Sequence, residues 1–368
     1  MGEVAVKNVW KRYGEVEAVK GLSFDVKEKE CVVILGSSGA GKTSTLKMIA
    51  GLEEISEGEI FIDGHLVNYL DPHERNIAMT FETYALYPNM SVYDNLAFPL
   101  RSPRHRMAEK DIRGRVTRTA NLLGIGMLLD RLPGQLSQGQ KQRVGLGRTL
   151  VREPSVFLFD EPLSHLDAKL RNRMRTDIKR IQEELGTTSV FVTHDYMEAL
   201  ALANRIVVLD KGMAQQIGTP GEIFNQPANL FVAGIVGDPP ANFLDAQVKG
   251  HDGALAFSLD KAGCEIPMLP SMAAKLAGRK DGKVRLAIRP MYIAPYLSEQ
   301  PACQLKGSVY SWERIETKGV LTAHVGEAIV IAETAADFPF RPDAPVWMSI
   351  DMAGVMAFDP STTAAIAG

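Results

Sequence analysis

A glycine-rich segment near the N-terminus has the residue types and the spacing needed to bind a phosphate group. Residues 36–43 match the phosphate-loop pattern of one glycine, four further residues and then Gly-Lys-Thr. The glycines let backbone N–H groups point inward at a phosphate, and Lys42 adds a positive charge for the β- and γ-phosphates. The Thr43 hydroxyl is a suitable ligand for Mg²⁺. The predicted binding residues are Gly36, Ser37, Ser38, Gly39, Ala40, Gly41, Lys42, Thr43 and Ser44.

Two groups of polar residues elsewhere in the chain follow short apolar runs. Asp160 and Glu161 come directly after residues 156–159, and His194 follows residues 188–193. Both runs are typical of strands buried on two faces, and ligands bind at the carboxyl ends of such strands. We therefore expect these polar residues near a ligand, although a lone histidine at a strand end is more often structural.

The elements that must position the phosphate loop are visible on either side of it. Residues 31–35 are apolar and largely β-branched, which predicts a buried strand, and residues 44–50 predict a helix that ends at Gly51. Upstream, residues 3–35 alternate between apolar and polar types and predict a small antiparallel sheet. Tyr13 lies in that sheet, where its ring either stacks on a nucleotide base or is a half-buried strand residue.

Between the phosphate loop and Asp160, apolar residues recur at helical spacing. Because Ile112, Val116 and Ala120 are separated by basic and polar residues, we predict a helical subdomain over about 85–154. Residues 84–92, at its start, are rich in aromatic side chains and are broken by a proline. They form either an exposed docking surface or a packed turn.

A Pro-Pro pair marks the start of a second domain. Residues 237–242 predict a linker, and short strand-like runs separated by turn residues follow it. We predict an α/β domain over 1–236 and an all-β domain of the small-barrel type over 237–368. The alanine-rich residues 362–368 are expected to fray.

The composition limits the classes of function. The chain has 368 residues, 45% of them hydrophobic, and a formal net charge of −3, so it has no global basic field for nucleic acid. Its three cysteines are widely spaced, which excludes a disulfide scaffold. No apolar run reaches the length of a membrane span, and no signal peptide is evident. We expect a cytoplasmic protein that does not bind nucleic acid.

A further motif lies between the phosphate loop and Asp160. Residues 136–143 read Leu-Ser-Gln-Gly-Gln-Lys-Gln-Arg, with Ser137 placed to cap the helix that follows. The order of phosphate loop, glutamine-loop segment, this signature, Asp-Glu strand and histidine resembles the ATP-binding subunits of ABC transporters over residues 4–235. The implied fold is that of a P-loop NTPase. The second domain resembles the OB-like regulatory barrel, called TOBE, of importers of the carbohydrate-uptake type.

The resemblance implies a role in ATP hydrolysis for each motif residue. Tyr13 would stack on adenine, Asp160 would bind Mg²⁺ beside Thr43, and Lys42 would hold phosphate. Glu161 would polarise the attacking water, and His194 would donate to the γ-phosphate or orient the water. Each ATP in the family lies between the phosphate loop of one chain and the signature of another. The residues that would complete a partner's site are Ser137, Gly139, Gln140 and Asp167.

The resemblance also implies partners and cofactors. Two ATPase subunits, identical or homologous, would use ATP and Mg²⁺ and would bind two transmembrane permease subunits at the cytoplasmic face of the inner membrane. An extracytoplasmic solute-binding protein would act indirectly, through the permease. The ATPase never touches the solute, so a carbohydrate-like solute is favoured only by overall likeness, with polyamine, iron and molybdate importers as alternatives. A soluble ATPase acting on nucleic acid is disfavoured, because the sequence lacks a long heptad run and a charge block.

Three residues depart from the family pattern. Glu82 stands where glutamine is usual, which would place a carboxylate beside the Mg²⁺ and the γ-phosphate, and we count it with the catalytic and metal-binding residues. Either the metal absorbs this charge, or Glu82 is protonated, or hydrolysis is slower than usual. Gln138 stands where glycine is commoner, and His165 where asparagine or alanine is usual. These departures leave open a dimer of two different ATPases.

Overall fold

The chain folds into two compact units, Met1–Pro220 and Gly221–Gly368. The computed structural model describes residues 2–81, 86–102, 107–164, 166–251, 254–259, 263–279, 282–315, 317–337 and 340–367. The boundary proposed from the sequence, after residue 236, lies later in the chain than this division. The short helices between the two positions bond to the second unit, since the Phe224 carbonyl accepts from Arg289 and the Leu230 N–H donates to the Thr363 carbonyl. Among the described residues, no helix combines the length and the apolar character that a membrane span requires.

The first unit combines strands with helices, as the predicted α/β class requires. Its strands are β1 Val4–Tyr13, β2 Val16–Val26, β3 Cys31–Gly36, β4 Glu57–Ile62, β5 His65–Leu66, β6 Ile77–Thr80, β7 Val156–Asp160, β8 Thr188–Thr193, β9 Arg205–Asp210 and β10 Met213–Gly218. Its helices are α1 Lys42–Ala50, α2 Val92–Ala97, α3 Glu109–Leu122, α4 Gln138–Leu150, α5 Ala168–Leu185 and α6 Tyr196–Leu202.

The central sheet of the first unit has the strand order β10–β9–β3–β8–β7–β6. β3 pairs in parallel with β8 and β9, and β7 pairs in parallel with β6 and β8. Every residue of β3, β7 and β8 is buried, which fits parallel strands covered on both faces. Parallel order brings the carboxyl ends of these strands to one edge of the sheet. The phosphate loop, Asp160 and His194 therefore share that edge.

The predicted antiparallel sheet is confirmed and has the order β2–β1–β4–β5. Its apolar residues share one core with α1 and the central sheet. Tyr13 is the last residue of β1 and pairs with Val16 across a tight turn, in which Gly14 has a φ of +56°. The sheet therefore presents Tyr13 at its rim rather than inside its pleated surface.

The region predicted to be a helical subdomain contains α2, α3 and α4, which contact one another. Ser91 caps α2 by accepting a hydrogen bond from the Asp94 N–H. An added Cβ at Gly147 of α4 would lie 2.7 Å from Leu96 Cδ2 of α2, so this glycine allows close helix packing. The subdomain lies between β6 and β7 in the chain and joins the edge of the central sheet.

The second unit is mainly β-structure, and its all-β prediction is confirmed apart from short helices. The helices are α7 Pro220–Asn225, α8 Leu230–Ile235 and α9 Pro270–Leu276. The strands are β11 Asn242–His251, β12 Ala254–Leu259, β13 Cys264–Pro267, β14 Lys283–Ile288, β15 Ile293–Tyr296, β16 Leu305–Ile315, β17 Lys318–Val325, β18 Ala328–Ala335, β19 Pro345–Ile350, β20 Val355–Phe358 and β21 Ala365–Ala367. They form sheets of order β13–β12–β11–β14–β20–β21 and β15–β19–β16–β17–β18 around one core.

Residues 362–367, the described part of the C-terminal segment, are held by strand pairing and hydrogen bonds, so the prediction that they fray was wrong. β21 pairs with β20 at the edge of its sheet. The Leu230 N–H donates to the Thr363 carbonyl at 3.0 Å, and the Ala365 N–H donates to the Ala228 carbonyl at 2.9 Å. These long-range backbone hydrogen bonds fix an alanine-rich segment that composition alone describes as weakly structured.

The buried side chain of Asn242 joins the two sheets of the second unit. Its Nδ2 donates to the carbonyls of Ile288, in β14, at 3.1 Å and of Ile331, in β18, at 2.8 Å. The Ile331 N–H donates to its Oδ1 at 2.6 Å. This amide therefore satisfies backbone groups of both sheets.

Replacing Asn242 with alanine is expected to lower the free energy of unfolding of the second unit by about 2 to 4 kcal/mol, because buried backbone groups lose their partners. Differential scanning calorimetry of the full chain measures the loss. Asn225→Ala, at an exposed position of the same unit, is the matched control. Equal unfolding transitions for the two variants would show that the Asn242 bonds contribute nothing to stability.

Candidate nucleotide-binding and hydrolysis site

The loop between β3 and α1 has the backbone of a phosphate cradle. Gly39 and Gly41 have φ angles of +78° and +100°, in the left-handed region that favours glycine. An added Cβ at Gly36 would lie 2.3 Å from the Leu209 carbonyl oxygen, so this position also requires glycine. α1 begins at Lys42 without a side-chain cap. Its first N–H groups and its positive dipole end are therefore directed at the loop, where they favour an anion.

Lys42 is held inside this loop. Its side chain is only 5% exposed, and its Nζ donates to the Ser37 carbonyl at 2.9 Å. The same Nζ lies 3.6 Å from Glu161 Oε1. Ser37 and Ser38 are exposed on the loop, whereas Ala40 is buried beneath it. A phosphate bound in the loop would thus meet an ammonium that is already positioned.

Thr43 and Asp160 bring two oxygen atoms together at the end of β7. The Thr43 hydroxyl donates to Asp160 Oδ1 at 3.0 Å, and Asp160 is only 6% exposed. Mg²⁺ binds oxygen ligands and is commonly held by one or two protein groups together with substrate phosphates. The chemistry of this pair therefore fits a Mg²⁺ ion shared with a nucleotide.

Glu161 and His194 are in direct contact. His194 Nδ1 lies 2.9 Å from Glu161 Oε2, and the imidazole side chain is 58% exposed. Glu161 has a φ of +42°, which costs about 1 to 2 kcal/mol for a residue with a side chain. Its N–H donates to the Val192 carbonyl at 3.1 Å, and its carbonyl accepts from the Ser164 hydroxyl at 3.0 Å. These bonds hold a strained backbone that aims the carboxylate toward Lys42 and His194.

Tyr13 is accessible beside the phosphate loop. Its side chain is 45% exposed, and its hydroxyl lies 3.3 Å from Ser44 Oγ and donates to Glu53. Burial of the hydroxyl, and then its bond to Glu53, raise the pKa of Tyr13 above its ordinary value. Lys11 Nζ lies 4.7 Å from the ring centroid. The exposed part of the ring leaves area for a stacked base.

The signature residues form a capped helix start. The Ser137 hydroxyl accepts from the Gln140 N–H at 3.4 Å, and Gln140 Oε1 accepts from the Ser137 N–H at 2.9 Å. An added Cβ at Gly139 would lie 2.3 Å from Leu170 Cδ2, so α4 begins against α5. Within the described part of the chain, the hydrogen bonds of Ser137 and Gln140 do not reach the phosphate loop. These hydrogen bonds therefore hold the start of α4 itself and do not tie it to this chain's phosphate loop.

The structure describes the predicted site residue Asp167 but not Glu82. Asp167 is exposed and caps α5 by accepting from the Leu170 N–H at 2.9 Å, so its position has a structural reason of its own. Glu82 lies outside the described residues, as does His165, and the three alternatives for the Glu82 carboxylate stay open.

Comparison with known proteins identifies the family. Residues 19–164 match the family model described as ABC transporter. The chain is 42% identical to the trehalose/maltose import ATP-binding protein MalK of Thermococcus litoralis, with both chains covered completely. The chain belongs to the ATP-binding subunits of ABC transporters. It is also 47% identical to the sn-glycerol-3-phosphate import ATP-binding protein UgpC of Bordetella bronchiseptica, over 87% of this chain and 84% of the relative.

A solved structure shows the same fold for the first part of this ABC ATPase. The dimeric structure of a post-hydrolysis state of the ATP-binding cassette MJ0796, bound to ADP and Pi, matches with a TM-score of 0.54 and 33% identity. The match covers 59% of this chain and 98% of that chain. The P-loop NTPase fold predicted for this part of the chain is thereby confirmed.

Tyr13→Ala is expected to raise the KM of this ABC ATPase for ATP about tenfold with little change in kcat. Stacking of a base on an aromatic ring contributes about 1 to 3 kcal/mol, and this energy is the same in the ground and transition states. Steady-state hydrolysis over a range of ATP concentrations measures both constants. Tyr69→Ala, which alters a tyrosine that is 92% exposed in the same unit, is the control. A change confined to kcat would contradict a stacking role.

Sequence reasoning missed Glu53, Arg171 and Glu198. Glu53 accepts from the Tyr13 hydroxyl and lies 3.4 Å from Lys47 Nζ. Arg171 Nε lies 3.9 Å from Glu198 Oε1, and Arg171 also contacts Leu166, in the loop after β7, and Asp195, in the turn after β8. The contact between Arg171 and Glu198 joins two different helices, so no local sequence pattern signals it.

Proposed function

We propose that this chain is the ATP-hydrolysing subunit of an importer for a carbohydrate-like solute, such as a sugar, a polyol or a sugar phosphate. The observation that carries the hydrolytic part is the contact between Glu161 and His194 beside the buried Lys42. The solute class is supported by relatives named for trehalose/maltose and sn-glycerol-3-phosphate import. Those names do not favour polyamine, iron or molybdate, nor a soluble ATPase acting on nucleic acid.

The proposed reaction is in-line transfer of the γ-phosphoryl group of ATP to water. A water oxygen bonds to the γ-phosphorus, the bond to the ADP oxygen breaks, and the water proton passes to Glu161 or to the phosphate product. Lys42 and the loop N–H groups bind the phosphates, and Mg²⁺ held by Thr43 and Asp160 would neutralise charge on their oxygens. Glu161 polarises the water. His194 orients the Glu161 carboxylate through its Nδ1.

The complete site would need a second ATPase subunit. The capped start of α4 offers N–H groups and a positive dipole end to an anion, and in the described part of the chain the Ser137 and Gln140 side chains bond to each other's backbone rather than to the phosphate loop. In the proposed dimer, Ser137, Gly139 and Gln140 close over the ATP held by the partner's loop, and Asp167 contacts the partner. The second subunit is an identical or a homologous chain. Purification of the native complex with one stoichiometric type of ATPase would exclude the homologous alternative.

A groove beside the helical subdomain is the proposed docking surface for the permease. It has a volume of about 280 Å³ and includes Phe81 and Phe98, which are 42% and 45% exposed. The rings of Tyr87 and Phe98 contact each other in a tilted arrangement, with centroids 4.6 Å apart and planes at 49°, and the Arg148 guanidinium lies 4.8 Å from the Tyr87 centroid. Exposed aromatic side chains around a groove are typical of an interaction site. A cytoplasmic segment of the permease would fill it and hold the ATPase at the inner membrane face.

Solute uptake by cells that lack this chain tests the proposal. Cells carrying the deletion, complemented with the wild-type chain or with Glu161→Gln at equal expression, are given labelled maltose, glycerol-3-phosphate, a polyol, putrescine or molybdate. We expect the wild-type chain alone to restore uptake of one of the first three. Restored uptake of putrescine or molybdate would overturn the solute class. Restoration by Glu161→Gln would overturn the link between hydrolysis and transport.

A further inference from the structure

Arg171, in the first turn of α5, connects two loops of the site. Its Nη2 donates to the carbonyls of Leu166 at 3.1 Å and of Ser164 at 3.5 Å, in the loop that follows β7. Its Nη1 lies 3.5 Å from Asp195 Oδ2, and its Nε lies 3.9 Å from Glu198 Oε1, beyond the end of β8. One guanidinium therefore contacts the loop after β7 and the turn after β8.

The turn after β8 is fixed by a buried carboxylate. Glu198 is 2% exposed and accepts from the Thr193 hydroxyl at 2.7 Å. Thr193 Oγ1 in turn accepts from the Asp195 N–H at 3.0 Å, which closes the turn around His194. Burial raises the pKa of Glu198, whereas the hydrogen bond from Thr193 and the positive charges of Arg171 and Arg175 oppose that shift. A buried carboxylate needs nearby cations or hydrogen-bond donors, and Arg171 is a cation near Glu198 that also contacts the loop after β7.

The contacts form a closed circuit through the catalytic pair. On one side, the Ser164 hydroxyl donates to the Glu161 carbonyl, and on the other side His194 meets the Glu161 carboxylate. Arg171 joins the loop that contains Ser164 to the turn that contains His194. Its Nε is buried and makes no hydrogen bond within the described structure, since 3.9 Å to Glu198 is too long. A small movement of the Arg171 side chain would therefore bring Nε within hydrogen-bond distance of Glu198.

We propose that Arg171 is a positioning residue for ATP hydrolysis, which keeps Glu161 and His194 in register by holding the loop after β7 against the turn after β8. This inference rests on the proposed hydrolytic function. The loop after β7 also leads into Asp167, which is proposed to contact the second ATPase subunit. A second ATPase subunit that binds this loop and shifts it would therefore change the positions of Glu161 and His194 through Arg171.

Steady-state ATP hydrolysis by the full chain tests this role with Arg171→Met, Arg171→Lys and the control Arg173→Met, an exposed position on the same helix. We expect Arg171→Met to lower kcat by up to about 100-fold, the effect of a small misplacement of catalytic groups. The KM for ATP should change by less than about twofold. Arg171→Lys should recover part of kcat, because an ammonium keeps the charge and some of the contacts. Arg173→Met should match the wild-type chain.

Two double variants separate positioning from folding. If Arg171 acts through the catalytic pair, adding Arg171→Met to His194→Ala should lower kcat no further. Arg171→Met with Glu198→Gln removes both charges, so it should regain thermal stability without regaining kcat. Recovery of kcat together with stability, or a wild-type kcat in Arg171→Met, would overturn the inference alone. A wild-type chain that never hydrolyses ATP, even with its native partners, would overturn the proposed function and this inference together.

Discussion

Glu161→Gln is expected to stop ATP hydrolysis while ATP still binds. The amide cannot accept a proton from the attacking water, and loss of a general base lowers kcat by about 10²- to 10⁴-fold. The substitution keeps the shape of the side chain and removes a negative charge 3.6 Å from Lys42. ATP affinity should therefore stay the same or rise, because Lys42 is left free to pair with phosphate. The bound ATP should accumulate in a dimer that cannot reset.

Hydrolysis and association are measured on the same preparation. Phosphate release gives kcat, and sedimentation velocity with and without ATP and Mg²⁺ gives the fraction of dimer. Glu153→Gln is a matched control, since Glu153 also has a left-handed backbone, with a φ of +52°, but pairs with Arg115 on the surface. A Glu161→Gln chain that retains turnover would remove Glu161 from the mechanism. One that binds ATP but stays monomeric would contradict a dimer of identical chains.

The position of the site could be predicted from the sequence because its residues lie at strand ends. Apolar runs before Gly36, Asp160 and His194 indicated buried strands, and parallel strands share an edge. The local glycine pattern also determined the shape of the phosphate loop. The placement of these residues could be predicted because it depends on short segments whose conformation is set by neighbouring residues.

Contacts between distant segments could not be predicted in the same way. Glu161 and His194 are 33 residues apart in the chain, so their contact depends on the tertiary fold. The contacts of Arg171 likewise depend on where the first turn of α5 lies. The C-terminal strand was missed for a related reason, since backbone partners at Ala228 and Leu230 stabilise residues that have little intrinsic preference for a strand. Local propensity does not contain such long-range pairings.

Lys42→Met is expected to abolish tight ATP binding, and with it both hydrolysis and dimer formation. Two unit charges about 4 Å apart near a protein surface interact by about 4 kcal/mol, which corresponds to about 10³-fold in Kd. The methionine fills a similar volume, so the loop itself should stay folded. Isothermal titration calorimetry with ATP and Mg²⁺ measures the loss, and Lys27→Met, at an exposed lysine before β3, is the control. Binding within about threefold of wild type would show that the loop N–H groups alone hold the phosphates.

The two variants are coupled, because Lys42 and Glu161 lie within 3.6 Å of each other. In Lys42→Met the Glu161 carboxylate loses its cation and repels the γ-phosphate, so part of the lost affinity is repulsion rather than a missing attraction. Adding Glu161→Gln removes that repulsion, and the double variant should therefore bind ATP more tightly than Lys42→Met alone. Additive effects of the two changes would mean that the carboxylate and the phosphate do not compete for Lys42. Effects of the two changes on ATP affinity that are not additive would show that Glu161 holds Lys42 in the site without nucleotide until ATP replaces the carboxylate.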